Sequence, residues 1–168
     1  FDICPVNIVM NFYMSKIGFD YDENGTLASM GEINNALLEK LNQLVFYTKK
    51  HPKSLGIEWV QQEVFPLIDK METEIPNILR TFVEHVAHQI SNVVEKNASI
   101  LFTGGGVFNS FLMSRIAILS SSKALKTSDE MVNYKEALVF AFLGFLKIKN
   151  EINCLKSVTG ASKNHATG

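Results

Sequence analysis

Cysteine is scarce in this sequence: Cys4 and Cys154 are the only two among 168 residues. Two thiols make no disulfide framework, and the expected compartment is the reducing cytoplasm. An excess of charge of one sign is also missing. Sixteen Lys and Arg stand against 17 Asp and Glu, a net of −1, so no basic surface points to nucleic acid. Long hydrophobic runs are lacking too. The longest, Ala137 to Gly144, is too short to span a bilayer. Phe1-Asp2-Ile3 carries no basic leader and no cleavage signature, so no signal peptide is visible. Internal repeats and low-complexity tracts are absent. What remains is ordinary globular composition, 46% hydrophobic and 20% charged. The length suits one domain, or one lobe of a two-lobed protein. With no initiating Met and an abrupt polar end at Gly168, the expectation is a piece of a longer chain.

Hydrophobic spacing reads mostly as helix. Pro5 to Ile17 starts with a proline suited to a first turn and stops before Gly18. From Glu32 to Lys49, Ile33, Leu37, Leu38, Leu41, Leu44 and Val45 fall on one face. His51-Pro52 ends that helix. Glu58 to Met71 is read as a helix interrupted or kinked at Pro66. Pro76 to Val94 is the clearest helix, with a continuous stripe from Ile75 to Val94 that Glu84, His85, His88 and Asn92 mostly avoid. Ser99 to Thr103 is the best strand, Gly104-Gly105-Gly106 follows it, and a helix runs from about Asn109 to Leu119. Ser120 to Asp129 reads as a polar connector. Tyr134 to Lys147 is apolar nearly all round, so it is expected to lie buried between layers. The tail from Lys149 is polar and irregular. Helices with at least one buried strand indicate an α/β layer arrangement.

The strand–Gly104-Gly105-Gly106–helix unit carries the strongest chemical signal. Glycines allow close backbone approach, and free N–H groups at a helix start suit phosphate. The plain alternative is a tight turn with Asn109 capping its own helix. Asp20-x-Asp22-x-Asn24-Gly25 resembles the start of a calcium loop, but position twelve is Gly31 instead of Glu, so a solvated turn is expected. His85 and His88 lie i, i+3 without a third ligand, which leaves a polar helix flank. Cys4 and Cys154 are expected as small buried residues, and no spacing favours a Cys–His nucleophile. Asp2 and Glu136 sit where a helix dipole favours an acid, Glu136 in a helix's first turn before the apolar run.

Five segments, in order, resemble the anhydro-N-acetylmuramic acid kinases of the actin-like sugar-kinase superfamily. Phe1-Asp2-Ile3-Cys4-Pro5-Val6-Asn7 resembles F-D-T-G-P-x-N, and Pro52-Lys53-Ser54-Leu55-Gly56 resembles P-K-S-[TL]-G. Thr103 to Met113 resembles C-G-G-G-x-x-N-x-x-L-M, and Lys135 to Leu143 contains the E-A-L-x-F-A-x-L segment. Asn153 and Ser157-Val158-Thr159-Gly160-Ala161 resemble N-x-x-x-[SP]-V-T-G-A. Ile3 and Cys4 replace the usual Thr and Gly, Val6 stands at another often-small position, and Thr103 replaces Cys. The family's G-T-S-x-D-G phosphate segment and first actin-like domain are absent.

The resemblance implies an α/β fold, the C-terminal actin-like (RNase H-like) domain, helix-rich with a small sheet, as one lobe of a two-lobed kinase. It implies ATP with magnesium and an amino-sugar substrate, 1,6-anhydro-N-acetylmuramic acid, in peptidoglycan recycling. Asp2 matches the general base for water. Gly104, Gly105, Gly106 and Asn109 match the nucleotide side, and Glu136 matches a substrate-side acid. The implied partner is the missing N-terminal lobe, without which the isolated chain is expected to be inactive. A homodimer stays open. So do another sugar kinase of the superfamily and a non-catalytic nucleotide-binding or interaction module.

Overall fold

The computed structural model describes residues 1–50, 52–95, 97–125 and 128–167. Among them the chain runs through α1 (Asn7–Ser15), α2 (Thr26–Met30), α3 (Asn35–Asn42), α4 (Val45–Thr48), α5 (Ile57–Trp59), α6 (Phe65–Met71) and α7 (Ile75–Val93). Then follow β1 (Ser99–Leu101), α8 (Ser110–Ser120), β2 (Lys123–Leu125), α9 (Asp129–Ile148) and α10 (Lys156–Thr159).

The apolar stripe of Pro76–Val94 makes α7 the central helix. It packs against α1, α2, α3 and α8 and buries Ile78, Leu79, Phe82, Val83, Val86 and Ala87. Each large side chain so buried stabilises the fold by about 1.5–3 kcal/mol. Because neighbours surround α7 on several sides, polar residues are enclosed as well, which corrects the expected polar flank. His85 is fully buried; its Nδ1 lies 2.7 Å from Asn42 Oδ1 and its Nε2 2.8 Å from Tyr47 Oη. Asn42 Oδ1 also accepts from Gln89 Nε2, so the consistent tautomer has His85 donating from Nδ1 to Asn42 and accepting from Tyr47. Glu84 is also buried and binds Arg115 through two hydrogen bonds of 2.8 Å and Arg80 through a third. This ion cluster fastens α8 to α7.

Two expected helices are reshaped. Glu32–Lys49 divides into α3 and α4, because Leu44 is extended at φ −57°, ψ 134°. Asn34 caps α3 by accepting from Leu37 N. The break leaves Asn42 facing His85 and lets Phe46 and Tyr47 pack on Trp59. The Glu58–Met71 helix is interrupted just ahead of Pro66, which sits in the first turn of α6. A wider π turn at Val60–Val64 precedes it and accommodates the missing proline N–H.

The strand lies where expected, shortened to Ser99–Leu101. It pairs in parallel with β2, in the register Ser99↔Lys123, Ile100↔Ala124 and Leu101↔Leu125. The second strand falls inside the expected polar connector, since Lys-Ala-Leu has no alternating pattern long enough to show. The fold class is thus helix-rich α/β with a small sheet. Two further corrections concern the C-terminal third. The apolar helix begins earlier, at Asp129, with Ser128 capping it through Met131 N. It is also not buried: Val132 alone among its described residues reaches the core, and Phe140 is 71% exposed. The polar tail is ordered by a Cys154–His165 bridge and by Asn153, which donates to Leu143 O and Thr167 O and accepts from Thr167 N.

Candidate active site

Asp2 is held by the Pro52–Gly56 loop. Ser54 Oγ and Leu55 N both donate to Asp2 Oδ2, at 3.1 and 2.7 Å, and Asp2 N donates to Lys53 O. The loop is anchored in turn. Lys53 Nζ donates to Phe46 O and lies 4.5 Å from the centroid of the Phe46 ring, whose side chain is buried. Asp2 lines a cleft of about 700 Å³. Its walls are largely apolar, from Ile3, Cys4, Leu55, Val60 and Ile90, with Thr103 and Lys135 as further polar groups. Burial pushes the Cys4 thiol up to about 12, so it is neutral near pH 7 and is no nucleophile. Cys4 and Cys154 are both free thiols and half-buried, slightly more open than expected.

The glycine loop builds a second cavity. Gly104 has φ +85°, a backbone that favours glycine, and starts a short 3₁₀ turn, Gly105–Phe108, between strand and helix. Asn109 N donates to Gly106 O, while Asn109 Oδ1 accepts from Leu112 N at 2.9 Å. The capping role of Asn109 is therefore real, whatever else it does. Gly25, at φ +72°, lets the Asp20–Gly25 turn approach this cap closely; a Cβ there would collide with Asn109 Oδ1 and lie 2.6 Å from Phe111 Cβ. Gly105 and Asn109 line a cavity of about 520 Å³ together with Asn7, Met10, Asn11, Tyr21, Asn24, Phe108 and the acidic pair Asp22 and Glu23. Carboxamides and broad apolar side chains share this wall, a mixture suited to a flat heteroaromatic ring with hydrogen-bonding edges, while Asp22 is taken up by Leu27 N and Ala28 N and Glu23 adds a carboxylate that suits a ring better than a phosphate.

One segment joins the two cavities. Asp2 and Asn7 stand near the two ends of the Phe1–Asn7 stretch. The carboxamide of Asn7 lies against the loop, about 3.5 Å from where a Cβ on Gly105 or Gly106 would be. Thr103 lines the Asp2 cleft and Gly105 the other cavity, so the glycine loop borders both. Asn7, Ser54 and Lys135 were not singled out from sequence as site residues. Asn7 and Ser54 stood inside the family segments, but their geometry depends on contacts between distant parts of the chain.

The other sequence candidates do not assemble with these. Glu136 is exposed and lies in the interior of α9 instead of its first turn, because the helix starts at Asp129. Its neighbour Lys135, not Glu136, lines the Asp2 cleft. Asp22 is not solvated: its carboxylate accepts from Leu27 N and Ala28 N and caps α2. No group of three His, Cys, Asp or Glu among the described residues could hold a metal ion. No helix among them is long and apolar enough to cross a membrane.

A family model for anhydro-N-acetylmuramic acid kinase matches residues 1–168. A protein of Sulfurovum sp. (strain NBC37-1) named anhydro-N-acetylmuramic acid kinase is 33% identical, over 100% of this chain and 48% of its own length. Proteins of the same name from Legionella pneumophila (strain Corby) and Gamma-proteobacterium EBAC31A08 are 33% and 32% identical, covering 95% and 89% of this chain and 46% and 43% of their own. The chain spans about half the length of the curated relatives it matches. Matched from end to end by the family model, it belongs to the anhydro-N-acetylmuramic acid kinase family.

Proposed function

We propose that the chain is the C-terminal, actin-like lobe of a cytoplasmic kinase that converts 1,6-anhydro-N-acetylmuramic acid and ATP to N-acetylmuramic acid 6-phosphate and ADP, in peptidoglycan recycling. Family membership supports the reaction class. The single observation that carries the site is the Phe1–Asn7 segment, which takes a carboxylate into one cleft and a carboxamide onto the glycine loop of the other. In this reading the Asp2 cleft receives the sugar, and the cavity of Asn7, Gly105 and Asn109 receives the nucleotide.

The chemistry follows from those positions. Asp2 accepts a proton from water as the water oxygen bonds to C1 of the sugar. The C1–O6 bond breaks, and O6 takes the γ-phosphoryl group as the bond to ADP breaks. A carboxylate within hydrogen-bond reach of the water serves as its base. Ser54 and Leu55 fix the rotamer of that carboxylate. Lys135 supplies positive charge on the same cleft. Glu136 serves as a substrate contact only if α9 turns or a longer chain reshapes the cleft mouth.

Magnesium accompanies triphosphates in such transfers and screens their charge. The described residues do not fit a protein-held metal: they form no carboxylate cluster, and Asp22 spends both oxygens on backbone N–H groups. No step is therefore assigned to the ion. Phosphoryl transfer also needs a second phosphate-binding wall, and the chain spans half of its relatives' length. The isolated chain is accordingly inactive in this account, and the complete protein is active. Assaying both with ATP and the anhydro sugar tests the reading.

A further inference from the structure

The Asp2 cleft holds two unlike charges that do not neutralise each other. Among the described residues lining it, Asp2 carries the one anionic side chain and Lys135 of α9 the one cationic side chain. Lys135 is half-buried. The ion pairs among the described residues, Lys16–Asp69, Arg80–Glu84 and Arg115–Glu84, involve neither group. Asp2 gives its Oδ2 to Ser54 and Leu55, and the ammonium of Lys135 has no carboxylate in reach among those residues. The surrounding walls, Ile3, Val60 and Ile90 among them, are apolar. Beside such walls the effective dielectric is low, so an anion brought to the ammonium is held more firmly than on open surface. The sugar assigned to this cleft brings one. A muramic acid bears a lactyl carboxylate on C3, well apart from the C1–O6 bridge that Asp2 serves.

We propose that Lys135 is the specificity residue of the Asp2 cleft: its ammonium holds the lactyl carboxylate while Asp2 faces the anomeric end. The cleft then selects an acidic anhydro sugar over a neutral one that has the same ring. The lactyl and acetamido methyl groups match the apolar walls in kind. The same charge logic accounts for Glu136 lying outside the lining, since a second acid there would repel the substrate. The inference rests on the sugar and the role of Asp2 proposed above, and it goes further by naming the group that is read and the residue that reads it.

Calorimetric titration of the complete protein tests it with three probes: 1,6-anhydro-N-acetylmuramic acid, its lactyl carboxamide, and 1,6-anhydro-N-acetylglucosamine, which lacks the lactyl group. Wild type should bind the acid about 10- to 100-fold more tightly than either neutral sugar, the worth of a hydrogen bond between charged partners. Lys135→Met keeps an aliphatic stem and drops the charge. It should bind all three alike, and Lys135→Arg should restore most of the preference. In turnover, the Met variant should lose kcat/KM for the acid by the same factor, carried by KM, because a charge remote from C1 and O6 binds ground state and transition state equally. The carboxamide probe makes the comparison on unmodified protein, so a poorly folding variant does not decide the result. An acid preference that survives in Lys135→Met overturns the assignment, as does a wild type that binds the three probes equally. Preference without phosphoryl transfer keeps Lys135 and loses the reaction, whereas transfer without preference keeps the reaction and loses Lys135.

Discussion

Replacing Asp2 with asparagine in the complete protein isolates the role of one proton acceptor. Asparagine is nearly isosteric, and its carbonyl oxygen can take both bonds that Asp2 Oδ2 receives, from Ser54 Oγ at 3.1 Å and Leu55 N at 2.7 Å. The Pro52–Gly56 loop should thus keep its place, and the melting temperature should stay within a degree or two. The amide cannot accept the proton of water. General-base contributions of about 10²–10⁴ correspond to roughly 3–5 kcal/mol of transition-state stabilisation. Steady-state kinetics should therefore show kcat lower by about that factor, with KM for ATP unchanged. Ser54→Ala removes one of the two hydrogen bonds to the carboxylate and leaves Leu55 N in place. About a tenfold fall in kcat is expected, restored largely by Ser54→Thr. An Asp2→Asn protein that retains more than a tenth of wild-type kcat would refute the assignment.

Other outcomes follow from the same geometry. Glu84→Gln breaks a buried ion cluster; because Arg80 and Arg115 keep some contact with water, the loss should lie near the lower end of the usual range, about 3 kcal/mol by chemical denaturation. Burial raises the Glu84 carboxyl, but hydrogen bonds from Arg115 and Arg80 outweigh it and hold the group below its ordinary 4.5. Its stabilising contribution is therefore present above about pH 4.5 and lost as pH falls through the lower folded value, so the stability difference between wild type and Glu84→Gln should shrink in that acid range. Burial, with a smaller push from His88, lowers His85 to about 3. The unfolded chain then binds the extra proton first. Stability should decline as pH drops below 6.5, by up to about 1.4 kcal/mol per pH unit, and His85→Gln should flatten that slope. Asn109→Asp keeps the helix cap. Unchanged melting with a raised KM for ATP would show that Asn109 serves the nucleotide, whereas no change in KM would reduce it to a cap.

Much of the fold was legible because α7 carries an uninterrupted stripe, and because Asn109 is a recognisable cap. What could not be read is non-local. No glycine or proline marks the break between α3 and α4; it suits Asn42, which meets His85 from 43 residues away. His85 and Glu84 look like surface residues until neighbours close over them from several sides and satisfy them with Asn42, Tyr47 and two arginines. The composition of α9 reads as a buried helix, yet Val132 alone among its described residues is buried, because burial depends on neighbours that composition does not reveal. At the site, the motif pointed to Asp2 and the glycines. Their linkage through Asn7, and the grip of Ser54 on the carboxylate, depend on contacts the linear order does not reveal.

The most direct measurement is transfer of labelled γ-phosphate from ATP to 1,6-anhydro-N-acetylmuramic acid, by the complete protein and by the 168-residue chain. The account expects N-acetylmuramic acid 6-phosphate from the complete protein and none from the chain alone. No product from the complete protein while it still binds ATP would contradict the kinase reading, and robust turnover by the isolated chain would contradict the claim that it is one lobe of a two-lobed enzyme.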